Sequence, residues 1–199
     1  MTATDHSRIL VTMAMRQEER GLLTGAGIPV LFTGLGKVNA ATTLARHLAE
    51  RRLAGSPPTL VVNFGTAGSP RFRTGAVVAC RRFVQRDMDV SALGFPRGHT
   101  PYDDHGGELS FDPVFHDLED AVCGTGDSFD TAGPALHCDV VDMEGYAMAK
   151  VCRLEGLPFG CAKYISDGAD HAAATDWRDS LPRAAEAFLA LHRRLLGDR

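Results

Sequence analysis

The sequence contains no run of about 18 apolar residues, which is the length that indicates a membrane-spanning helix. Its first residues are polar and acidic, without the basic segment and apolar stretch that characterise a secretion signal. The 5 cysteines are an odd number without Cys-x-x-Cys spacing, and their apolar neighbours are typical of buried free thiols. We therefore expect a soluble protein of the cytoplasm, where thiols stay reduced, with no membrane partner.

An excess of basic charge is also missing. The formal net charge is -4 at pH 7, and no basic face stands out along the chain. Arg51 with Arg52 and Arg193 with Arg194 lie in stretches of helical pattern, where a solvated helix surface explains them. The sequence therefore predicts no nucleic-acid partner.

Sequence motifs for a metal or for covalent catalysis are weak. His99, Asp103, Asp104 and His105 are potential metal ligands, but they lie in a segment with glycine and proline that lacks a rigid helical frame. No nucleophile elbow is visible, and no cysteine stands beside a histidine base. We predict neither a metal site nor a bound cofactor.

Residues 34–38, with the sequence Gly-Leu-Gly-Lys-Val, follow a strand pattern and precede a helix pattern, as a phosphate-binding loop does. The upstream glycine and the Ser or Thr after the lysine of a triphosphate loop are absent. A dinucleotide loop is excluded as well, because Asn39 stands where its third glycine belongs. The two glycines still allow a ligand to approach the backbone at the start of a helix.

Length and composition fit one domain that spans residues 1–199, since 44% of the side chains are hydrophobic and 23% charged. Short apolar segments that predict strands alternate with helical patterns, which indicates an α/β fold. The predicted strands are 9–13, 29–33, 60–64, 75–84 and 158–165. The predicted helices are 40–53, 143–154 and 177–196, and residues 85–113 are predicted to form a functional loop. Helix 143–154 would bury Met143, Ala147, Val151 and Leu154.

Two acidic motifs carry the strongest chemical signal. Residues 142–145 (Asp-Met-Glu-Gly) and 165–167 (Ile-Ser-Asp) each lie at the edge of an apolar segment that is typical of a buried strand. A carboxylate at such a position is partly desolvated, which raises its proton affinity and suits it to acid catalysis. Structural roles are the alternative, because Glu144 could simply open a helix and Asp167 could simply cap one.

Together with several other motifs, these segments resemble the methylthioadenosine/S-adenosylhomocysteine nucleosidases of the purine nucleoside phosphorylase superfamily. Order and approximate spacing match from about residue 9 to residue 196. The resemblance implies a three-layer α/β/α sandwich around a central mixed sheet, a purine nucleoside as substrate and a homodimer. The matching residues are Glu18 and the segments 34–41, 63–68, 87–95, 126–129, 142–145 and 165–167.

In such an enzyme the bond between purine and ribose breaks, so that negative charge develops on the base and positive charge on the sugar. The resemblance implies that Asp167 protonates nitrogen 7 of the purine and that Glu144 binds the ribose hydroxyls. Glu18 would orient and deprotonate the attacking water, in a division of labour that parallels the inverting glycosidases. Without the resemblance, Glu18 is equally well explained as a solvated charge at a helix start.

The same resemblance assigns the substrate contacts. Phe129 would stack on the purine and Met143 would contact the sugar, while Trp177 would close the pocket for the 5′ substituent. Val90 and Leu93 would reach into the 5′ pocket of the neighbouring subunit. For Phe129 and Trp177, core packing is an equal alternative. The remaining predicted substrate contacts are Ser166, Thr66, Gly68, Lys163 and Leu35.

Two other functions remain open at this point: phosphorolysis, with phosphate in place of water, and nucleoside binding without cleavage. The phosphorylases carry an arginine in the turn that is Asn-Phe-Gly-Thr-Ala-Gly here, at residues 63–68, and another in an early loop that this chain lacks. Without those cations a phosphate dianion lacks charge-assisted contacts, so we favour hydrolysis. Three retained carboxylates that repel one another argue against a pure binder. The chain is also shorter than typical members, and Lys163 and Leu93 replace an arginine and an aromatic residue.

Overall fold

The five predicted strands all form, and the computed structural model adds a short strand at the first acidic motif and two strands that were not predicted. It describes residues 8–128, 136–169 and 173–197. The strands are β1 (Ile9–Met13), β2 (Val30–Phe32), β3 (Leu60–Gly68), β4 (Val77–Gln85), β5 (Glu108–Ser110), β6 (Glu119–Thr125), β7 (Val140–Asp142) and β8 (Phe159–Asp167). The helices are α1 (Arg16–Glu19), α2 (Leu22–Gly25), α3 (Lys37–Leu53), α4 (Gly145–Leu154) and α5 (Ala173–Leu195).

The eight strands form one mixed sheet, as predicted. Strands β2, β1, β3 and β8 run parallel to one another in that order, and β8 then pairs with β4 in the antiparallel direction. Strands β4, β6 and β7 continue in parallel, and a single antiparallel pair between Gly68 and Val141 returns from β7 to β3. The inner part of the sheet therefore closes on itself, which brings the ends of β3, β7 and β8 together.

Helices cover both faces of the sheet, which gives the α/β/α layers that the family resemblance implies. On one face α3 and α4 bury Leu44, Leu48 and Met148. On the other face α5 packs Phe188 against Phe64, whose ring centroid lies 5.4 Å away. Full burial of each such side chain contributes about 1.5–3 kcal/mol, so these two apolar layers hold the helices on the sheet.

A β-bulge near the end of β8 determines how the second acidic motif is presented. Ala67 pairs with Ile165, but the next residue of β3, Gly68, pairs with Asp167, so that Ser166 is the extra residue. A bulge bends the strand and redirects its side chains. Because of this shift, both Ser166 and Asp167 line the same cavity.

Several predictions about local structure need correction. The predicted loop 85–113 contains β5 and a 3₁₀ turn at Ser91–Leu93. Helix α4 begins at Gly145, so Met143 precedes it, and Leu154 is 66% exposed rather than buried, because the helix ends there. Strands β5 and β6 were not predicted; β6 begins with Glu119 and Asp120, which are exposed.

The prediction that the cysteines are buried is confirmed for all five. No helix in the described part of the chain has both the length and the apolar character needed to cross a bilayer. Within the described residues, no group of histidine, cysteine and acidic side chains has the arrangement of a metal site. Asp103, one of the potential ligands considered above, instead forms an ion pair with Lys150.

Candidate active site

A cavity of about 260 Å³ opens where β3, β7 and β8 end and where the chain leaves β1. Nine of the thirteen residues predicted to form the site line it. These are Glu18, Leu35, Thr66, Gly68, Met143, Glu144, Ser166, Asp167 and Trp177. Residues that are distant along the chain are thus brought together around one space, as the family resemblance implies.

The three predicted catalytic carboxylates are almost fully buried. Glu18 is 3% exposed, Glu144 is 6% exposed and Asp167 is 3% exposed. Burial of a carboxylate is costly unless hydrogen bonds or charges compensate it. Each of the three has such partners, and the partners differ, which gives each carboxylate a distinct orientation.

Glu18 is held by residues of β3 and by its own helix start. Its Oε1 accepts hydrogen bonds from the backbone N–H and the hydroxyl of Thr66, both at 2.8 Å. Its Oε2 accepts a weaker bond of 3.3 Å from the backbone N–H of Met15. Trp177 Nε1 donates to the Thr66 hydroxyl at 2.9 Å, so a chain of hydrogen bonds runs from Trp177 through Thr66 to Glu18. Glu18 is therefore not a solvated helix-start charge.

Asp167 is fixed by two short-range donors at the bulge. Its Oδ1 accepts the backbone N–H of Ala169 at 2.9 Å, and its Oδ2 accepts the hydroxyl of Ser166 at 2.7 Å. A Cβ atom on Gly68 would lie 2.6 Å from Oδ1, so this position has room only for a glycine. Helix α5 begins six residues later, at Ala173, so Asp167 does not cap it.

Glu144 lies at the start of α4, yet its side chain makes no capping hydrogen bond to that helix. Its Oε1 instead accepts the backbone N–H of Gly36, at the start of α3, at 2.8 Å. Burial, and then the nearby negative charge of Asp142, raise the pKa of Glu144 to about 7, although Lys163 and the Gly36 N–H oppose the shift. At neutral pH this carboxyl group is thus divided between its protonated and ionised forms.

A buried ion pair lies behind Glu144. Lys163 Nζ is 2.8 Å from Asp142 Oδ2, and Asp142 also accepts hydrogen bonds from the Thr125 hydroxyl at 2.6 Å and the Gly145 N–H at 2.8 Å. Burial raises the pKa of Asp142, but the Lys163 charge and these donors outweigh it, so that the net shift is downward. The pKa of Lys163 is held well above its ordinary value, because Asp142 and other negative groups outweigh its burial. Both side chains therefore stay charged.

Three of the predicted site residues that the structure describes do not line the cavity. Lys163 is 1% exposed and is turned towards Asp142, so it acts on the cavity through Asp142 and Glu144 and not by lining it. Leu93 is 72% exposed, Val90 lies near it, and both are outside the cavity. Phe129 lies outside the described residues.

The cavity also contains residues that the sequence interpretation missed. Arg86 lines it and donates to both the hydroxyl and the carbonyl oxygen of Ser128, which lines it too. Arg86 directly precedes segment 87–95, which matches the family. This position in the sequence is the feature from which Arg86 could have been recognised as a site residue. The first N–H groups of α3, where a ligand was expected to approach, bind protein carboxylates instead: Gly36 donates to Glu144 and Lys37 to Asp127.

Comparison with known proteins agrees with this fold and identifies the family. The sequence profile of the Phosphorylase superfamily matches residues 15–197. The 5'-methylthioadenosine/S-adenosylhomocysteine nucleosidase of Anoxybacillus flavithermus is 30% identical over 202 aligned positions, which cover 90% of this chain and 84% of that protein. The chain therefore belongs to the phosphorylase superfamily and, within it, to the 5'-methylthioadenosine/S-adenosylhomocysteine nucleosidase family.

Solved structures support the fold. The nucleosidase of Helicobacter pylori with butyl-thio-DADMe-Immucillin-A is 22% identical with a TM-score of 0.81, covering 96% of this chain and 98% of that one. The futalosine hydrolase of the same organism is 23% identical with a TM-score of 0.79, covering 98% of this chain and 99% of that one. These two enzymes have different names, yet their folds match that of this chain almost equally well. The fold by itself therefore does not determine the substrate.

Proposed function

We propose that the protein hydrolyses the N-glycosidic bond of an adenine nucleoside such as 5'-methylthioadenosine or S-adenosylhomocysteine, releasing free adenine and a ribose or thioribose. The observation that carries this proposal is the convergence of Glu18, Glu144 and Asp167 on one cavity, in a chain of the nucleosidase family. Each carboxyl group is buried and separately oriented, as a reaction that moves two protons and develops two charges requires.

Asp167 is the proposed general acid. When the bond between the anomeric carbon and nitrogen 9 breaks, the bonding electron pair moves into the purine, and a proton from Asp167 on nitrogen 7 neutralises it. The hydrogen bonds from Ser166 and from the Ala169 N–H fix the plane of the carboxyl group. A fixed acid needs no reorientation during bond cleavage, which lowers the barrier.

Glu144 and Glu18 are the proposed partners on the sugar side. Glu144 accepts hydrogen bonds from the ribose hydroxyls, and its negative form stabilises the positive charge that develops on the sugar. Glu18 takes a proton from the water whose oxygen forms the new bond to the anomeric carbon. Its contact with the Met15 N–H is long, at 3.3 Å, so Oε2 retains capacity to accept that proton.

Apolar and aromatic residues complete the proposed site. Leu35, Met143 and Trp177 line the cavity, where they can exclude bulk water and contact the sugar and its 5′ group. Phe129 is the proposed stacking partner of the purine. We also propose that Val90 and Leu93, together with the exposed Leu35, belong to a homodimer interface, and that this single-domain protein works in the cytoplasm.

Hydrolysis is favoured over phosphorolysis by the charges around the cavity. Arg86 is the one arginine or lysine among the described residues that line it, and its guanidinium group donates to Ser128. Phosphate needs several charge-assisted hydrogen bonds to replace water as the nucleophile. Lys163, whose charge acts on the pKa of Glu144, is already paired with Asp142.

The purified protein should be incubated with methylthioadenosine, adenosylhomocysteine, adenosine and inosine, with and without phosphate. We expect release of adenine with free ribose or thioribose, at a rate that does not depend on phosphate. Production of a sugar 1-phosphate would replace this proposal with phosphorolysis. Tight binding of a nucleoside without release of base would identify a non-catalytic member of the superfamily.

A further inference from the structure

The backbone N–H that donates a hydrogen bond to Glu144 lies in a loop whose position depends on neighbouring residues. Gly36 donates it from the start of α3, with a φ of 86° that favours glycine. A Cβ atom there would lie 3.0 Å from Asp127 Oδ1, so the loop and the Asp127 side chain are closely packed. The position of the Gly36 N–H relative to Glu144 therefore depends on how α3 is anchored at its first turn.

Three side chains, Lys37, Asp87 and Asp127, anchor this turn in a closed ring that we call the Lys37 clamp. The backbone N–H of Lys37 donates to Asp127 Oδ1 at 2.7 Å, and Lys37 Nζ donates to Asp87 Oδ1 at 2.6 Å. The backbone N–H of Asp127 donates to Asp87 Oδ2 at 2.9 Å and closes the ring. The clamp thus ties α3 to the segments that follow β4 and β6.

We propose that the Lys37 clamp positions Glu144 for the reaction, by holding the Gly36 N–H against its carboxylate. Asp87 and Asp127 are then positioning residues, which act through Gly36 and do not themselves touch the substrate. The inference rests on the proposed function, because it assigns the clamp to the carboxylate that binds the ribose. It also explains why the chain keeps a charged network at the place where a ligand-binding loop was expected.

A purely stabilising role is the alternative, and the exposure of the clamp distinguishes the two. The side chains of Lys37, Asp87 and Asp127 are 18%, 30% and 46% exposed. Ion pairs with such access to solvent contribute little to global stability. A displaced backbone donor, in contrast, changes the geometry of a catalytic group, where small displacements have large effects on rate.

The test is Asp87→Asn, which keeps the shape of the side chain but removes the charge that faces Lys37. We expect kcat/KM for methylthioadenosine to fall about 10-fold, and the affinity for a non-hydrolysable nucleoside analogue to fall in parallel. Lys37→Met should have the same effect, and the double variant should be no worse than either single one. The thermal midpoint should change little.

The decisive measurement repeats Asp87→Asn in a Glu144→Gln background. If the clamp acts through Glu144, the effect of Asp87→Asn on kcat/KM and on analogue affinity disappears there, since coupled residues are not additive. The pH dependence of kcat/KM gives a second readout. Loss of the Gly36 hydrogen bond raises the pKa of Glu144, so the part of the profile that reports the ionisation of Glu144 shifts to higher pH. Asp142, Lys163 and Glu18, the other charges that face Glu144, are unchanged in this variant.

The matched control is Asp120→Asn, at the opposite end of β6, where Asp120 pairs with Arg81 on the surface. It should leave kcat/KM, analogue affinity and pH profile unchanged. An equal effect of Asp87→Asn in both backgrounds, or no effect at all, would overturn the inference about the clamp. A wild-type protein without turnover would instead contradict the proposed function, and analogue affinity would still test the clamp.

Discussion

Lys163 Nζ and Asp142 Oδ2 lie 2.8 Å apart, and their side chains are only 2% and 1% exposed. The pair stands directly behind Glu144, whose pKa responds to both of its charges. Burial of two charges is costly, but the Thr125 hydroxyl and the Gly145 N–H satisfy the remaining acceptor positions of Asp142. The pair therefore sets the electrostatic environment of the cavity from a position that the solvent cannot reach.

Replacement of Lys163 by methionine should destabilise the protein strongly. Asp142 would keep a buried negative charge without its counterion, which typically costs about 3–5 kcal/mol. We expect this loss in the free energy of unfolding, measured with urea at pH 7. Lys150→Met is the matched control, because Lys150 pairs with Asp103 but its side chain is 23% exposed, and a loss of about 1 kcal/mol is expected there. Equal losses in the two variants would show that the buried pair contributes no more to the free energy of unfolding than the more exposed pair.

Replacement of Asp167 by asparagine tests the general acid. An amide of the same shape can still accept the Ser166 hydroxyl, but its N–H protons are too weakly acidic to be transferred to nitrogen 7. We expect kcat to fall at least about 100-fold while the thermal midpoint stays close to that of the wild type. Ser166→Ala should have a smaller effect, since it only loosens the orientation of the carboxyl group.

Asp179→Asn serves as the control for Asp167→Asn. Asp179 is exposed on α5 and does not line the cavity, so its replacement makes the same chemical change outside the site. Its kcat should equal that of the wild type. An Asp167→Asn protein with unchanged kcat, at a substrate concentration well above KM, would remove Asp167 from the mechanism.

The raised pKa of Glu144 predicts a specific dependence of stability on pH. Folding shifts this pKa from its ordinary value of 4.5 to about 7, so the folded state binds the proton more tightly than the unfolded chain. The stabilising contribution is fully present below about pH 4.5 and is lost as the pH rises through about 7, by about 3 kcal/mol in total. Unfolding in urea at several pH values, for the wild type and Glu144→Gln, should show this loss only in the wild type.

Glu50→Gln provides the comparison for the pH experiment. The Glu50 side chain is 64% exposed and lies on the outer face of α3, so its removal should leave the pH dependence of the wild type intact. Parallel curves for the wild type and Glu144→Gln between pH 5 and pH 8 would contradict the raised pKa.

Local sequence patterns predicted the helices and strands whose formation depends on a single short segment of the chain. The spacing of Ala41, Leu44, Ala45 and Leu48 was enough to place α3. The apolar segment before Asp167 was enough to place β8. Motif order, through the family resemblance, also predicted that Glu18, Glu144 and Asp167 share a cavity. Leu154 shows the limit of the same method. The helical pattern predicts that Leu154 is buried, but α4 ends at this residue and its side chain is exposed.

Contacts that depend on the register between distant strands could not be predicted from the sequence. The pairing of Gly68 with Asp167 follows from a bulge, and no feature of the sequence Ile-Ser-Asp indicates one. Lys163 was expected to contact the substrate, but its strand position turns it towards Asp142. The Gly36 N–H likewise reaches Glu144 across 108 residues, so its partner could not be recognised from a glycine-rich loop alone.

The close contact between Gly68 and Asp167 provides a test of the bulge. In Gly68→Ala the new Cβ atom would lie 2.6 Å from Asp167 Oδ1 and 3.1 Å from the Cβ of Ala169, so the carboxyl group must move. We expect kcat/KM to fall at least about 10-fold and stability to fall by about 1–3 kcal/mol, the usual cost of overpacking. Gly25→Ala is the matched control, because nothing lies within 4 Å of its Cβ position and it ends α2. That control should keep full activity and gain a few tenths of a kcal/mol from the reduced entropy of the unfolded chain, measured by urea unfolding. If Gly68→Ala retained wild-type kcat/KM, the orientation of Asp167 at the bulge would not limit the reaction.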